Sequence, residues 1–454
     1  MTAFDILTAA ESAVFAGLAA RYFQIWFRMW RSASRLAVDR TSVGTAAQVP
    51  SDHDPQLVFI IPAFQETSSL PETIASLRAA IESSRYRAEI IVATSALESV
   101  RTQSALASTS RVHDPRASPE STATTIAVAR KALADCAYAT IVDDTSPEPS
   151  MARQFNAALA AVAAKSGWDE QTTYVVCYNA DTTASPDTVE ALGDTILAAR
   201  FPQAAQLMCV SLRGLRQVRG PWRWYLLGAA YYQTRWALGF EFDMYRRSFR
   251  RSALGHCYYC RGHGITLRLD AAKEIGGLST RTALEDLYLG FQLSLRGWPC
   301  YPVPVLEMTE SPSTVRELLS QKKHWFSGMW DTLSYRRLMP EEYSTQPRQF
   351  RLLQARSMYR DIGSWLLGPW VPLFLIIVSI VTANWWFATL PVVNAAITTW
   401  FVRRTAQQIS DPVSDFQSIG WASTATGVLI YSMTRNIGPL GYVIGRIREL
   451  IWRW

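Results

Sequence analysis

The chain has 454 residues, 49% of them hydrophobic and 18% charged, with a formal net charge of +7. That length suggests two or three folded units, and this apolar content at a mean hydropathy near zero lies between a soluble enzyme and a polytopic membrane protein. The Arg residues cluster beside apolar segments, which fits anionic lipid and argues against nucleic acid. The six cysteines are too sparse for a disulfide scaffold and are expected as free thiols.

Residues 8–30 are long enough to span a bilayer, but Glu11, Arg21 and Arg28 interrupt them. A tilted anchor and an interfacial amphipathic helix both fit. The early Glu11 and the lack of a basic start argue against a cleaved signal peptide. Arg28, Arg31, Arg35 and Arg40 then put the emerging chain on the cytosolic side. Residues 39–56 read as a polar linker. Many of the 17 tryptophans lie beside Arg, among them Trp26, Trp30, Trp222, Trp224 and Trp236. Such pairs suit the headgroup zone, with burial in the core as the alternative.

From residue 57 strand and helix signals alternate. Leu57–Ile61 is a strand stopped by Pro62, followed by a helix over 70–83 and a strand at Glu89–Ala93. A Ser-rich stretch runs to about residue 120. Then come a helix near 121–135, the strand Ala137–Val142, a helix over 150–165 and the strand Thr173–Tyr178. This spacing predicts an α/β unit with a mainly parallel sheet and helices on both faces. In such sheets ligands bind beyond the carboxyl ends of the strands, which singles out Pro62–Glu66 and Asn179–Asp181.

After residue 346 the chain turns apolar. Gln349–Asp361 is basic and amphipathic, and Ile362–Ile380 and Trp385–Phe401 can form a tight helical hairpin. Arg351, Arg356 and Arg360 before it, and Arg403 and Arg404 after it, put both ends on the cytosolic side. A polar segment over 405–417 leads to a last piece containing Arg435, which fits a third span, a broken span or a re-entrant element. The expected organisation is a membrane or interfacial helix and linker over 1–50, a globular domain with interface helices over 51–345, and interface and transmembrane helices over 346–454.

Three groups of residues carry chemistry. Asp181, fixed at a strand end in Asn179-Ala180-Asp181, can hold Mg²⁺ or Mn²⁺ together with a ligand's diphosphate, although an Asp there also serves as a turn or helix cap. Glu285 and Asp286 open an apolar helix that ends at Gly297. They suit the helix dipole and also suit a general base, with the loop Arg261-Gly262-His263-Gly264 approaching closely beside them. Gln321, His324 and Trp325 share one helix face, where an indole stacks on a sugar and polar groups bond hydroxyls or diphosphate; an interfacial helix is the alternative. His256, Cys257, Cys260 and His263 have zinc-like ligand types, but they are cramped into eight residues.

Taken in order, these residues resemble the family-2 inverting glycosyltransferases of GT-A-type fold, particularly the membrane-integrated synthases of cellulose, chitin and hyaluronan. Residues 61–66 (IPAFQE) are similar to the family's P-[AT]-Y-N-E loop, and Met151–Leu159 to its G-K-A-x-A-L-N helix. Asn179–Asp181 is similar to D-x-D, Gly262–Gly277 to the acceptor-side loop, Glu285-Asp286 to E-D, and Gln321–Trp325 to Q-x-x-R-W. The resemblance covers about 57–335. It implies donor contacts at Ala63, Phe64, Glu66, Thr94, Asn179 and Asp181, with the metal on Asp181. It implies acceptor or product contacts at Gly262, His263, Gly264, Gln321, His324 and Trp325, and Asp286 as base beside Glu285.

The implied activity is transfer of a sugar from a nucleotide-sugar donor to a growing polysaccharide or lipid-linked saccharide. The implied setting is the plasma (cell inner) membrane, multi-pass, with the catalytic domain cytosolic and homo-oligomers or export partners as possible company. Single addition to a lipid, and a degenerate homologue acting as a scaffold, are the alternatives. Residues 90–95 (IIVATS) lack the usual nucleobase-binding Asp, Asn179 replaces the first Asp of D-x-D, and His324 replaces Arg. Asp143-Asp144 belongs to the third strand. These departures, and a short membrane part, weigh more against a processive synthase than against a glycosyltransferase.

Overall fold

The computed structural model describes residues 3–47, 54–98, 124–215, 217–248, 259–339, 347–409 and 420–451. Helix α1 (Ala3–Ala46) opens the chain. The segment expected as a linker is helical as far as residue 46, because Asp39 and Arg40 dock onto the globular unit through ion pairs to Arg246 and Asp187. There follow β1 (Gln56–Pro62), α2 (Leu70–Glu82), β2 (Ala88–Ser95), α3 (Thr125–Ala132), β3 (Ala139–Asp144), α4 (Met151–Ala163) and β4 (Thr173–Cys177), in the expected order. The side chains of Thr124 and Ser150 accept N–H bonds from the first turns of α3 and α4, which fixes where those helices begin.

The second half contributes β5 (Thr182–Thr183), α5 (Thr188–Ala198), β6 (Ala204–Arg213), α6 (Arg223–Trp236) and, after the π-helical turn Ala237–Glu241, α7 (Phe242–Ser248). Next come β7 (Ile265–Arg268), α8 (Leu269–Ile275), α9 (Glu285–Arg296), β8 (Cys300–Glu310) and α10 (Val315–Asp331). All eight strands form one sheet in the order β3-β2-β1-β4-β7-β6-β8-β5. β1 to β4 pair in parallel, as do β6 and β8, but β7 runs antiparallel between β4 and β6, and β5 antiparallel to β8. The sheet is therefore mixed, and the expectation of a mainly parallel sheet holds for its first half. Alternate residues of β1 enter two cores: Val58 and Ile60 join one, and Leu57, Phe59 and Ile61 the other, so helices cover both faces.

Beyond the sheet lie α11 (Pro347–Asp361), the π-helical turn Ile362–Leu367, α12 (Trp370–Thr382), α13 (Trp386–Ile409), α14 (Trp421–Thr434) and α15 (Ile437–Ile451). α12 and α13 pack as a hairpin. The last apolar piece is broken into two short helices. Among the described residues one helical run, Arg348–Thr382, is long and apolar enough to cross a membrane. α14 is bound tightly to the sheet unit. It crosses α6 with glycine on glycine, and a Cβ on Gly228 would stand 2.1 Å from the Gly427 carbonyl carbon. Only two glycines permit that backbone approach.

Candidate active site

The turn after β4 is held from several sides. Tyr178 N–H donates to Ile60 O at 2.8 Å, Thr73 Oγ1 to Ala180 O at 2.7 Å, and Asn179 N–H to His263 Nδ1 at 3.3 Å. The hydroxyls of Thr182 and Thr309 both donate to Asp181 Oδ1, at 3.3 and 3.1 Å. Asn179 Oδ1 is buried with no hydrogen-bond partner, an unusual condition for an amide oxygen. Asn179 and Asp181 line the same cavity, of about 360 Å³. An orphaned amide oxygen two residues from a carboxylate suits a hard divalent cation. Among the described residues no three metal-ligating side chains cluster, so a cation here would draw its remaining ligands from a bound diphosphate and water.

His263 reaches the cavity wall, but both its ring nitrogens are engaged. Because Nδ1 accepts the Asn179 N–H, Nε2 carries the proton and donates to Glu307 Oε2 at 2.6 Å. Glu307 Oε1 takes the hydroxyls of Tyr178 and Thr188, each at 2.7 Å, and its side chain is 0% exposed. His263 thus braces the Asn179–Asp181 turn, whereas the resemblance implies an acceptor contact. Gly264, with φ +74°, sits where a Cβ would be 2.5 Å from Leu207 Cβ. It enters the sheet between β4 and β6, donating its N–H to Cys177 O at 2.6 Å and accepting the Leu207 N–H at 2.9 Å, and it lies outside the cavity lining.

The loop and α9 meet at Asp286. Gly262 N–H donates to Asp286 Oδ2 at 2.9 Å and Leu287 N–H to Oδ1 at 2.7 Å. Asp286 therefore satisfies an orphan donor of the first helical turn while facing the cavity, so capping and chemistry coincide. Burial pushes its carboxyl above the ordinary Asp range, against these N–H bonds and the nearby Arg261 guanidinium. Glu285 is pushed up further, by burial and then by the adjacent Asp286 charge. Arg261 is itself paired with Glu241 at 3.1 Å and donates to Cys209 O at 2.7 Å.

Helix α10 begins with a capping box of Thr314 and Glu317, and brings Gln321, His324 and Trp325 to the cavity. Between them Lys322, which no motif singled out, is 3% exposed. Its ammonium bonds Gln233 Oε1 at 2.6 Å and Gln321 Oε1 at 2.9 Å, and lies 3.7 Å from the Trp325 ring centroid. Burial drives its pKa well below the usual lysine value, with the Arg261 charge acting in the same direction. The remaining wall comes from Tyr232 on α6, Ser364 and Trp365 on the second π turn, and Tyr431 and Arg435 at the end of α14. No motif pointed to these.

Ala63, Phe64, Glu66 and Thr94 fall outside this cavity, at the carboxyl ends of β1 and β2. Ala63 is buried and its carbonyl accepts Gln154 Nε2 at 2.9 Å. Glu66 accepts the Ser69 hydroxyl at 2.9 Å. Thr94 is buried and donates to Asp143 Oδ1 at 3.1 Å, so β3 brings a carboxylate beside the β2 end that lacks one. The described cysteines are free and buried, Cys260 among them; His256 and Cys257 lie outside the described residues.

A mixed α/β sheet with paired carboxylates and an Asn-x-Asp turn around one cavity defines the class. Residues 174–402, half of the chain, match the model of glycosyl transferase family group 2, and the chain belongs to that family. Among solved structures it is similar to the mannosyltransferase PcManGT from Pyrobaculum calidifontis in complex with GDP-Man and Mn²⁺, at 15% identity over 94% of this chain and 98% of that one, with a TM-score of 0.43. It is also similar to residues 1–349 of S. aureus TarS, at 10% identity over 84% and 92%, with a TM-score of 0.38. No curated protein sequence matches it.

Proposed function

We propose that this glycosyltransferase is a membrane-bound, inverting enzyme of GT-A type that transfers a sugar from a nucleotide-sugar donor to a growing polysaccharide or lipid-linked saccharide. The observation that carries the reading is the meeting of Asp286 and the Asn179–Asp181 turn in one cavity. Asp286 is fixed by two backbone N–H bonds and, with its carboxyl raised by burial, is poised as a base. An acceptor hydroxyl gives its proton to Asp286 while its oxygen attacks the anomeric carbon. The bond from that carbon to the diphosphate oxygen breaks, and the nucleoside diphosphate departs. Asp181 and Asn179 Oδ1 would hold Mg²⁺ or Mn²⁺, whose charge offsets that of the leaving diphosphate. Trp325 offers an indole face for a sugar ring, and Gln321 and His324 offer hydrogen bonds to it. Phe64, Glu66 and Asp143, at the ends of β1 and β3, are placed for the nucleoside.

The exposed apolar faces of α12 and α13, with Ile380 62%, Val381 78% and Trp386 73% exposed, support a membrane setting. We assign it to the plasma membrane with the sheet domain cytosolic. The test incubates the full chain in detergent or lipid with a panel of nucleotide sugars and Mg²⁺ or Mn²⁺. Release of nucleotide from one donor, abolished by Asp286→Asn, is expected. Failure of every donor would overturn the enzyme reading. A ladder of long products would identify a polymer, and a single addition would identify a lipid-linked acceptor.

A further inference from the structure

A second cavity, of about 580 Å³, lies apart from the catalytic one and shares no lining residue with it. Its floor is Val305 and Leu306 of β8 and Phe401 of α13, all buried. Two indoles stand at its mouth, Trp30 of α1 at 58% exposed and Trp400 of α13 at 51%. The lining also holds two guanidinium groups and one carboxylate. Asp187 is taken by its ion pair with Arg40. That leaves Arg404, which among the described residues has no carboxylate partner and lies 5.4 Å from the Trp400 ring centroid.

The depth of this cavity follows from the helices that build it. α1 and α13 run side by side in the same direction. Phe15 meets Phe387 edge-on with centroids 5.9 Å apart, and further along Trp26 Nε1 donates to Asn394 Oδ1 at 3.2 Å. Their cations gather at the same end, Arg31, Arg35 and Arg40 on one helix and Arg403 and Arg404 on the other. From Trp386 at the start of α13 to Arg404 is about 27 Å of helix, against about 30 Å for a bilayer's hydrocarbon core. Tryptophans thus flank the apolar stretch of α13, and Arg404 falls in the headgroup layer.

We propose that this cavity binds one anionic phospholipid from the leaflet beside the sheet domain, with its phosphate on Arg404 and an acyl chain between Trp30 and Trp400. A guanidinium fork suits phosphate oxygens, and Ser34 and Ser185, which line the cavity too, offer hydroxyls to the rest of the headgroup. The lipid ties α13 and β8 to α1 at the point where Arg40 already docks that helix on Asp187. This rests on the membrane setting proposed above and not on the sugar-transfer chemistry. A soluble phosphate would have no use for the apolar floor, and a second copy of this chain would cover the indoles without needing the cation.

Binding is measured by native mass spectrometry of the full chain in detergent, titrated with phosphatidylglycerol or phosphatidylcholine carrying the same acyl chains. One phosphatidylglycerol per chain should bind about fivefold tighter than phosphatidylcholine, the worth of one cation at a membrane surface. Arg404→Gln should remove that preference, Arg404→Lys should keep it, and Arg448→Gln, exposed on α15, should leave it unchanged. Ser34→Trp, which fills the cavity from an exposed position of α1, should weaken both lipids. A lipid-free melting temperature within about 2 °C of the parent reports that each variant is folded. Equal affinity for the two lipids overturns the proposal, as does an equal loss of preference in Arg448→Gln, which would make the charge effect diffuse. Competition by glycerol phosphate overturns it in favour of a soluble anion. A dimer that forms without lipid and is lost in Ser34→Trp overturns it in favour of a second copy. A chain that does not enter vesicles defeats the membrane setting and this proposal together, whereas one that enters them and shows no preference defeats the proposal alone.

Discussion

Replacing His263 by Phe tests whether the buried brace behind the Asn179–Asp181 turn holds the site in shape. The ring's edge contact to Tyr178, with centroids 4.7 Å apart, can persist, so the change isolates the two hydrogen bonds. Glu307 keeps the hydroxyls of Tyr178 and Thr188 on Oε1 but loses the 2.6 Å donor on Oε2. A hydrogen bond to a buried charge is worth about 1.5–3 kcal/mol, and the orphaned Asn179 N–H, whose bond is a long 3.3 Å, adds about 1 kcal/mol. The sum is about 2.5–4 kcal/mol, a fall in melting temperature of about 5–8 °C at about 2 °C per kcal/mol. Thermal unfolding in detergent reads this directly, and nucleotide affinity in Mn²⁺ should fall with it as the turn loosens. Glu307→Gln removes the same bond from the other side, so the double variant should lose less than the sum of the singles. A drop of under about 2 °C, or strict additivity, would refute the brace.

Three further outcomes follow from particular contacts. Glu285 is held above its ordinary range by burial and the Asp286 charge. Its folded form is therefore favoured when protonated, and that stability is lost as pH rises through the raised value. Glu285→Gln should gain melting temperature over the parent from about pH 5 to about pH 9, and a constant gap would contradict this. Asn179→Asp puts a second carboxylate where the orphaned amide oxygen stands, and should tighten Mn²⁺ by about tenfold in a calorimetric titration; unchanged affinity would remove Asn179 from the metal site. Gly228→Val drives side-chain atoms into the Gly427 backbone and should cost about 1–3 kcal/mol, or more if α14 lifts away; an unaltered melting temperature would mean the helices are not packed that closely.

What was legible in the sequence is what local chemistry dictates. β1 could be read because its buried run of apolar residues ends at a proline, and α9 because an apolar helix closes on Gly297 in the left-handed conformation. The short β7 offered no such signal; its place between β4 and β6 depends on Gly264 lying close against Leu207, a tertiary contact. The types of the site residues could be read, but the direction in which each faces could not. His263 and Gly262 are neighbours in one loop, yet Gly262 presents its N–H to Asp286 whereas His263 turns both nitrogens into the protein. Nothing in the sequence singles out Lys322. Only the fold shows its ammonium between two glutamine oxygens and an indole.

Motifs placed every candidate residue before position 326, which suggests a self-sufficient sheet domain tethered by an anchor. The cavity contradicts that division, because Ser364, Trp365, Tyr431 and Arg435 form its wall. Gly228 and Gly427 fix α14 against α6 at backbone contact, and Trp365 meets Trp325 edge-on with centroids 6.4 Å apart. Displacement of α14 or of the second π turn must therefore change the surroundings of Gln321, Lys322 and Trp325. The site is closed by α14 and the second π turn, so those C-terminal elements are part of the cavity and not only a tether.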